Sequence, residues 1–215
     1  MNTEQYQTGD LLLYHGTKSC IDKFLECVSP SSYSHVSMVI VIPNPAFEGT
    51  TLEGTTLEDG VYVIESTKSD IPDAEDRLIK FGVQMTKIED VLSEKGQEIW
   101  YRKMECVRDE NFYRKLRDAH TIVHNLPYDF DLFDWVNAAG FSWFNCLNPC
   151  ESLCKRQRVD KFWCSALVSY ILVQLNLLPF NTPWTDISPR DLGSEKGGKN
   201  IHFINCKIHS EELID

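Results

Sequence analysis

A basic excess, a long apolar run and an export signal are all missing from this sequence, and each absence removes a class of function. Lysines and arginines number 21 against 32 aspartates and glutamates, for a formal net charge of −11. A nucleic-acid partner needs clustered basic residues that add up to a positive face, so this balance argues against one. It argues equally against docking on anionic lipid through a polybasic patch. No stretch approaches the roughly 20 consecutive apolar residues of a membrane-spanning helix, and no integral membrane association is expected. The opening stretch MNTEQYQTGDLLLYHG carries no basic leader and only a short apolar run, unlike a signal peptide. A cytoplasmic setting is the expectation.

What is there is the composition of an ordinary globular chain. Its 215 residues are 42% hydrophobic and 25% charged, which suffices for one sizeable core and reads as a single domain over 1–215. Eight cysteines would suit a disulfide framework in a secreted protein; without an export signal they read as reduced thiols.

Hydrophobic periodicity divides the chain into mixed elements. DLLLYHG (10–16) is a short apolar run ending in glycine, a buried strand candidate. CIDKFLECV (20–28) has helical spacing, and HVSMVIVI (35–42) is β-branched and stops at Pro43, as a central strand does. VYVIEST (61–67) is a second such strand. Between them EGTTL occurs twice in tandem, too short a repeat for a solenoid and read as a surface hairpin or loop. FGVQMTKIEDVLSEKG predicts a strand followed by a short helix, and IWYRKM another strand. Residues 109–126 predict a helix opened by Asp and Glu, and IHFINCKI a last strand. Strands and helices mix without strict alternation, which makes the fold class α+β.

The chemistry centres on DKFWCSALVSYILVQL. Leu167, Val168, Ile171, Leu172 and Leu175 fall on one helical stripe, so Cys164 stands in the first turn, where unpaired N–H groups and the helix dipole favour an anion. Lys161, Arg156 and Arg158 lie close by in sequence and add positive potential. A nucleophilic thiol needs a base, and the chain has six histidines. His15, His120, His124, His202 and His209 lie in polar surroundings or near the C-terminus and read as solvated or structural. His35 is set apart by its place at the mouth of a β-branched strand. Glu65 follows the apolar run VYVI, and a carboxylate on an otherwise buried strand calls for a partner; an imidazole is one.

The ordered set TGDLLLY, SYSHVSMVIV, VYVIEST, PYDFDLF, FWCSALVSYIL and ISPRDL resembles the permuted branch of the NlpC-type papain-fold superfamily, typified by the YiiX-like proteins, with the lecithin:retinol acyltransferase-like proteins as a related branch. The resemblance runs from Gly9 to Leu192 and sets Cys164, His35 and Glu65 on the positions of nucleophile, base and orienting carboxylate. It implies a circularly permuted papain-like fold, with a central antiparallel sheet packed against the helix that bears the cysteine. The activity it implies is a cysteine hydrolase that cleaves a peptide, isopeptide or peptidoglycan-like amide through a thioester. Such a triad needs no cofactor and no metal. The partner it implies is a peptide, protein or acyl-lipid substrate.

Two alternatives stay open at this stage. One is a lipid acyl-ester hydrolase or acyltransferase with the same triad. The other is a catalytically silent papain-fold binding protein. Aromatics between Tyr128 and Phe144 read as core packing, or as an apolar pocket under the acyl reading. Trp163, immediately before the cysteine, stands where it would shape or cover a cleft. Cys146, Cys150 and Cys154 are each separated by three residues, whereas structural zinc sites prefer C-x2-C pairs; the run reads as free thiols or packing, with a zinc-bound docking segment as the rival.

Overall fold

The computed structural model describes residues 5–16, 33–43, 46, 57–94, 96–129, 159–194, 198–199 and 201–214. The helix expected over 20–28, most of the tandem EGTTL segment, the Cys146–Cys154 run, Arg156, Arg158 and the aromatics beyond Tyr128 lie outside them.

Six strands build one antiparallel sheet in the order β4-β3-β2-β1-β5-β8. These are β1 (Leu11–His15), β2 (His35–Ile42), β3 (Gly60–Lys68), β4 (Phe81–Lys87), β5 (Glu98–Arg102) and β8 (Glu212–Leu213). A second, two-stranded sheet pairs β6 (Met104–Cys106) with β7 (Cys206–Ile208). Three helices complete the elements used below: α1 (Ile88–Ser93), α2 (Glu110–Val123) and α3 (Cys164–Gln174). The class is α+β with an antiparallel sheet, as the mixed, non-alternating element order predicts.

Strand alternation sorts the sheet's side chains into two layers. Leu11, Leu13, Met38, Ile40 and Ile64 face α2 and α3 and share a core with Leu116, Leu167 and Ile171. The intervening positions, Leu12, Val39, Val61 and Val63, pack with Ile88 and Val91 of α1 and with Ile99 and Tyr101. Apolar burial on both faces explains why β2 reads as a continuous run rather than as alternating polar and apolar residues.

Helix α3 departs from the expected single stripe. Every residue from Cys164 to Val173 is buried, so the helix is enclosed all round rather than laid on a surface. Its polar positions are accommodated inside: Ser165 Oγ donates to the Ile187 carbonyl at 2.6 Å.

Two other elements differ from the sequence pattern. IWYRKM splits at Lys103, because the Met104 N–H leaves the ladder and donates to Asp10 Oδ1 at 2.9 Å, and the chain then passes into the second sheet. IHFINCKI contributes only β7, since Asn205 takes a left-handed conformation with φ of 56° just before the pairing begins. Among the described residues no helix is long and apolar enough to cross a membrane.

Candidate active site

Three separate segments converge at one end of the sheet. β1 and β2 pair with Leu12 opposite Ser37 and Tyr14 opposite His35. β3 and β4 pair with Glu65 opposite Gln84. Directly opposed residues share a face of an antiparallel pair. The pleat therefore gives Tyr14, His35, Ser37, Glu65, Gln84 and Thr86 one face, and makes it polar just where the aliphatic layer of Val39 and Val63 ends.

Hydrogen bonds fix this row. His35 Nε2 lies 2.7 Å from Glu65 Oε2. Thr86 Oγ1 donates to the other Glu65 oxygen at 3.0 Å and accepts from Gln84 Nε2 at 3.3 Å. Glu65 is 6% exposed, and both of its oxygens have partners, as a buried carboxylate requires. The Tyr14 ring packs on the imidazole at a centroid distance of 4.8 Å, and its hydroxyl hydrogen-bonds Ser37 Oγ at 2.7 Å. Burial raises the Tyr14 hydroxyl well above the usual phenol value, and the charges of Glu65 and Cys164 nearby add to this; it is a neutral phenol.

Cys164 reaches the same imidazole from the first position of α3. Trp163 is the N-cap residue, and no side chain caps the helix there. The segment leading in is held on three sides. Ser66 Oγ donates to the Phe162 carbonyl at 2.6 Å, Phe162 N donates to the Pro127 carbonyl at 3.1 Å, and Asp129 N donates to the Phe162 carbonyl at 3.1 Å. Residues 126–127 can lie that close to β4 because Gly82 has φ of +155° and no side chain; a Cβ there would stand 2.2 Å from the Leu126 carbonyl oxygen.

The charge state of His35 reflects this company. Burial works against the imidazolium, but the Cys164 sulfur, by charge and hydrogen bond, and the Glu65 carboxylate outweigh it and raise the pKa from 6.5 to about 10. With Nε2 committed to Glu65, Nδ1 is the nitrogen left for the sulfur. Because the shift is upward, the imidazolium and the stability it brings are fully present below pH 6.5 and are lost as pH rises through about 10. Titrating the His35 ring by NMR will show a midpoint near that value, and Cys164→Ala will move it down. A midpoint unmoved by Cys164→Ala would place the cause elsewhere.

A cleft of about 400 Å³ opens over these groups, with Tyr14, His35, Glu65 and Cys164 in its lining. The remaining wall is mostly polar, with Ser34, Thr67, Lys68, Asp70, Glu94 and Gln97. Phe81 and Tyr128, stacked at 4.8 Å, give it an apolar patch. Trp163 lies 4% exposed in the main core and is not among the lining residues, so it supports the helix start rather than covering the cleft. Lys161 pairs with Asp129 at 2.6 Å.

The structure thus brings together Cys164, His35 and Glu65. Sequence reasoning missed the row around them: Tyr14 closes the TGDLLLY stretch without a role assigned to it, Thr86 and Gln84 carry no motif, and only cross-strand register brings Tyr14 to the imidazole and Thr86 to Glu65. The other histidines divide. His15 pairs with Glu98 at 3.2 Å in an exposed position, and His209 with Glu105 at 3.0 Å. His120 and His124, read from sequence as solvated or structural, converge on Glu75, and His120 is buried.

No protein-family model and no curated protein matches the chain. Among solved structures it is similar to the metalloprotein yiiX from Escherichia coli O157:H7 (DUF1105), at 18% identity and a TM-score of 0.47, over 98% of this chain and 97% of that one. That is too loose a similarity to transfer the role of any residue.

Proposed function

We propose that the chain is a cysteine hydrolase of permuted papain-like type that cleaves an amide bond in a peptide-like substrate. The observation that carries the reading is the shared imidazole. His35 holds Glu65 at 2.7 Å through Nε2 and is also hydrogen-bonded to the Cys164 sulfur, the nucleophile–base–orienter arrangement of covalent catalysis. The cysteine following the histidine in the chain is no obstacle, since triads recur in different chain orders with one spatial arrangement.

The steps follow from the groups present. In the imidazolium–thiolate form, the Cys164 sulfur attacks the substrate carbonyl carbon, and the carbonyl π pair moves onto oxygen. The Cys164 N–H, in the uncapped first turn of α3, stabilises that oxyanion. As the tetrahedral intermediate collapses, His35 gives its proton to the departing amine and the C–N bond breaks, leaving a thioester. Neutral His35 then takes a proton from water, whose oxygen attacks the thioester. The acid departs and the Cys164–His35 pair is restored. Glu65 keeps the ring in place and balances its charge throughout.

The polar wall favours an amide substrate with hydrogen-bonding groups over an acyl chain. The apolar lining, the Phe81–Tyr128 stack with Ile71 and Val91, is what favours the acyl-ester reading, and it is the smaller part of the wall.

Thiol alkylation tests the reactive pair without a known substrate. Burial pushes the Cys106 thiol up, and burial together with the neighbouring Cys106 pushes Cys206 up to about 11, so both should react slowly near neutral pH. Treated with iodoacetamide at pH 7 and mapped by mass spectrometry, the native chain will be labelled first at Cys164, and His35→Ala will remove that preference. Labelling of Cys164 no faster than of Cys106 would overturn the reading.

A further inference from the structure

A second cluster of chemistry-bearing side chains lies outside the cleft, and the mechanism above does not use it. Glu75, His120 and His124 each present a ligating atom, and these atoms all lie within 4.8 Å of one another. His120 Nε2 is 3.0 Å from Glu75 Oε1 and 3.2 Å from Oε2, and His124 Nδ1 is 3.1 Å from Oε2. We propose that these three side chains form a binding site for a divalent transition-metal cation of the zinc type, and that the cation ties the 73–77 segment to the C-terminal end of α2.

The donor set suits such an ion. Two imidazoles and one carboxylate are the nitrogen and oxygen ligands that zinc takes, and three protein ligands leave a fourth position for water. His120 and His124 are four residues apart at the end of α2, so one helix face presents both rings. The C-terminal end of a helix carries partial negative charge, which favours a cation there. Glu75 is itself buried, and its two oxygens already stand between the two imidazoles, within 3.0 Å of His120 Nε2 and 3.1 Å of His124 Nδ1.

The frame around the ligands is rigid. Asp73 Oδ1 accepts from Glu75 N at 2.9 Å and from Met85 N at 3.2 Å, and Ala74 N donates to the Met85 carbonyl at 2.8 Å. These bonds fasten the Glu75 backbone to β4. On its far side the His124 ring accepts from the Asn125 side-chain amide at 2.8 Å through Nε2; when Nδ1 ligates a metal ion, Nε2 carries the ring proton and that amide must turn its oxygen toward it. The nearby cation, Lys80, is engaged by the carboxylates of Asp73 and Asp76, which offsets its repulsion of a bound ion. Coordination replaces the present ring–carboxylate hydrogen bonds. Each ligating nitrogen then offers a lone pair, and any ring proton displaced leaves to solvent or moves to the other ring nitrogen.

The test is Zn²⁺ binding by the full chain after chelator treatment, titrated against a chromogenic competitor. The Cys146→Ser/Cys150→Ser/Cys154→Ser variant is run in parallel, because that run is the sequence's other candidate for zinc. Both proteins will take up Zn²⁺ stoichiometrically, and Glu75→Gln or His124→Ala will weaken binding by about tenfold or more, at least the range seen for lost supporting contacts. His124 is only partly buried and caps the helix, so its replacement spares the core. As a readout free of mutation, Co²⁺ bound to the wild-type chain will show weak visible bands without intense near-ultraviolet thiolate bands. Failure of the folded wild-type chain to bind Zn²⁺, loss of binding in the triple cysteine variant alone, or strong thiolate bands with Co²⁺ would each overturn the proposal.

Discussion

Cys164→Ala will lower turnover of any amide or ester substrate by about 10⁴-fold or more, the scale on which the nucleophile of a triad acts. The expectation rests on how little else in the cleft can do the same chemistry. The Tyr14 ring packs on the imidazole, but its hydroxyl is a buried neutral phenol hydrogen-bonded to Ser37, and the hydroxyl of Ser34 is directed at the Tyr14 and Gly16 carbonyls. Neither is a substitute nucleophile. The substitution should leave the fold intact, since Cys164 is the first residue of α3 and alanine is the best helix former. The measurement is turnover on matched panels of peptide amides and acyl esters, with circular dichroism to verify folding. A Cys164→Ala chain retaining more than about a tenth of wild-type activity would remove covalent catalysis from consideration, given the magnitude expected. The two panels also separate the substrates: the polar wall of Thr67, Lys68, Asp70 and Gln97 predicts higher kcat/KM on the amides.

Legibility of the fold in the sequence followed the range of the interaction concerned. The strand at 35–42 and the helix starting at Cys164 were readable because β-branched runs and helical spacing are local signals, and both begin where the pattern placed them. The partnership of His35 with Glu65 was also readable, because a carboxylate at the end of a buried strand demands a counterpart. All-round burial of α3 was not readable: it depends on what covers the far side of the helix, including Trp184 and Ile187, and periodicity within the helix does not encode that. The break at Asn205 was hidden because a left-handed asparagine looks like any other polar residue in a short run. The Glu75–His120–His124 cluster was hidden for another reason. Its two histidines share a helix face, but their carboxylate lies 45 residues before His120, in a segment without regular structure, and no spacing rule links the two. β8, with two residues, is below the length at which alternation carries any signal.

Asp10→Ala will cost about 3–5 kcal/mol of stability, the range for removing one member of a buried charged network, although Asp10 lies nowhere in the proposed chemistry. Its side chain is fully buried and serves four donors. Oδ2 accepts from Gln7 N at 2.8 Å and from the Tyr101 hydroxyl at 2.6 Å, while Oδ1 accepts from Met104 N at 2.9 Å and from Arg108 at 3.5 Å. One carboxylate therefore ties the segment before β1 to β5, to the start of β6 and to the arginine that also donates to the Thr8 and Met104 carbonyls. Alanine would leave these buried donors unsatisfied and Arg108 without its counter-charge. Tyr101→Phe, which deletes one donor and leaves the carboxylate its other three, should cost only about 1 kcal/mol. Urea unfolding of both variants checks the ratio; an Asp10→Ala loss no larger than that of Tyr101→Phe would mean that the network relaxes around the gap. The consequence extends to the site, because β1 is fixed by Asp10 at one end and carries Tyr14, packed on His35, at the other. A chain folded without Asp10 should therefore lose selective alkylation of Cys164 as well as stability, through the position of β1 rather than through any contact with the sulfur.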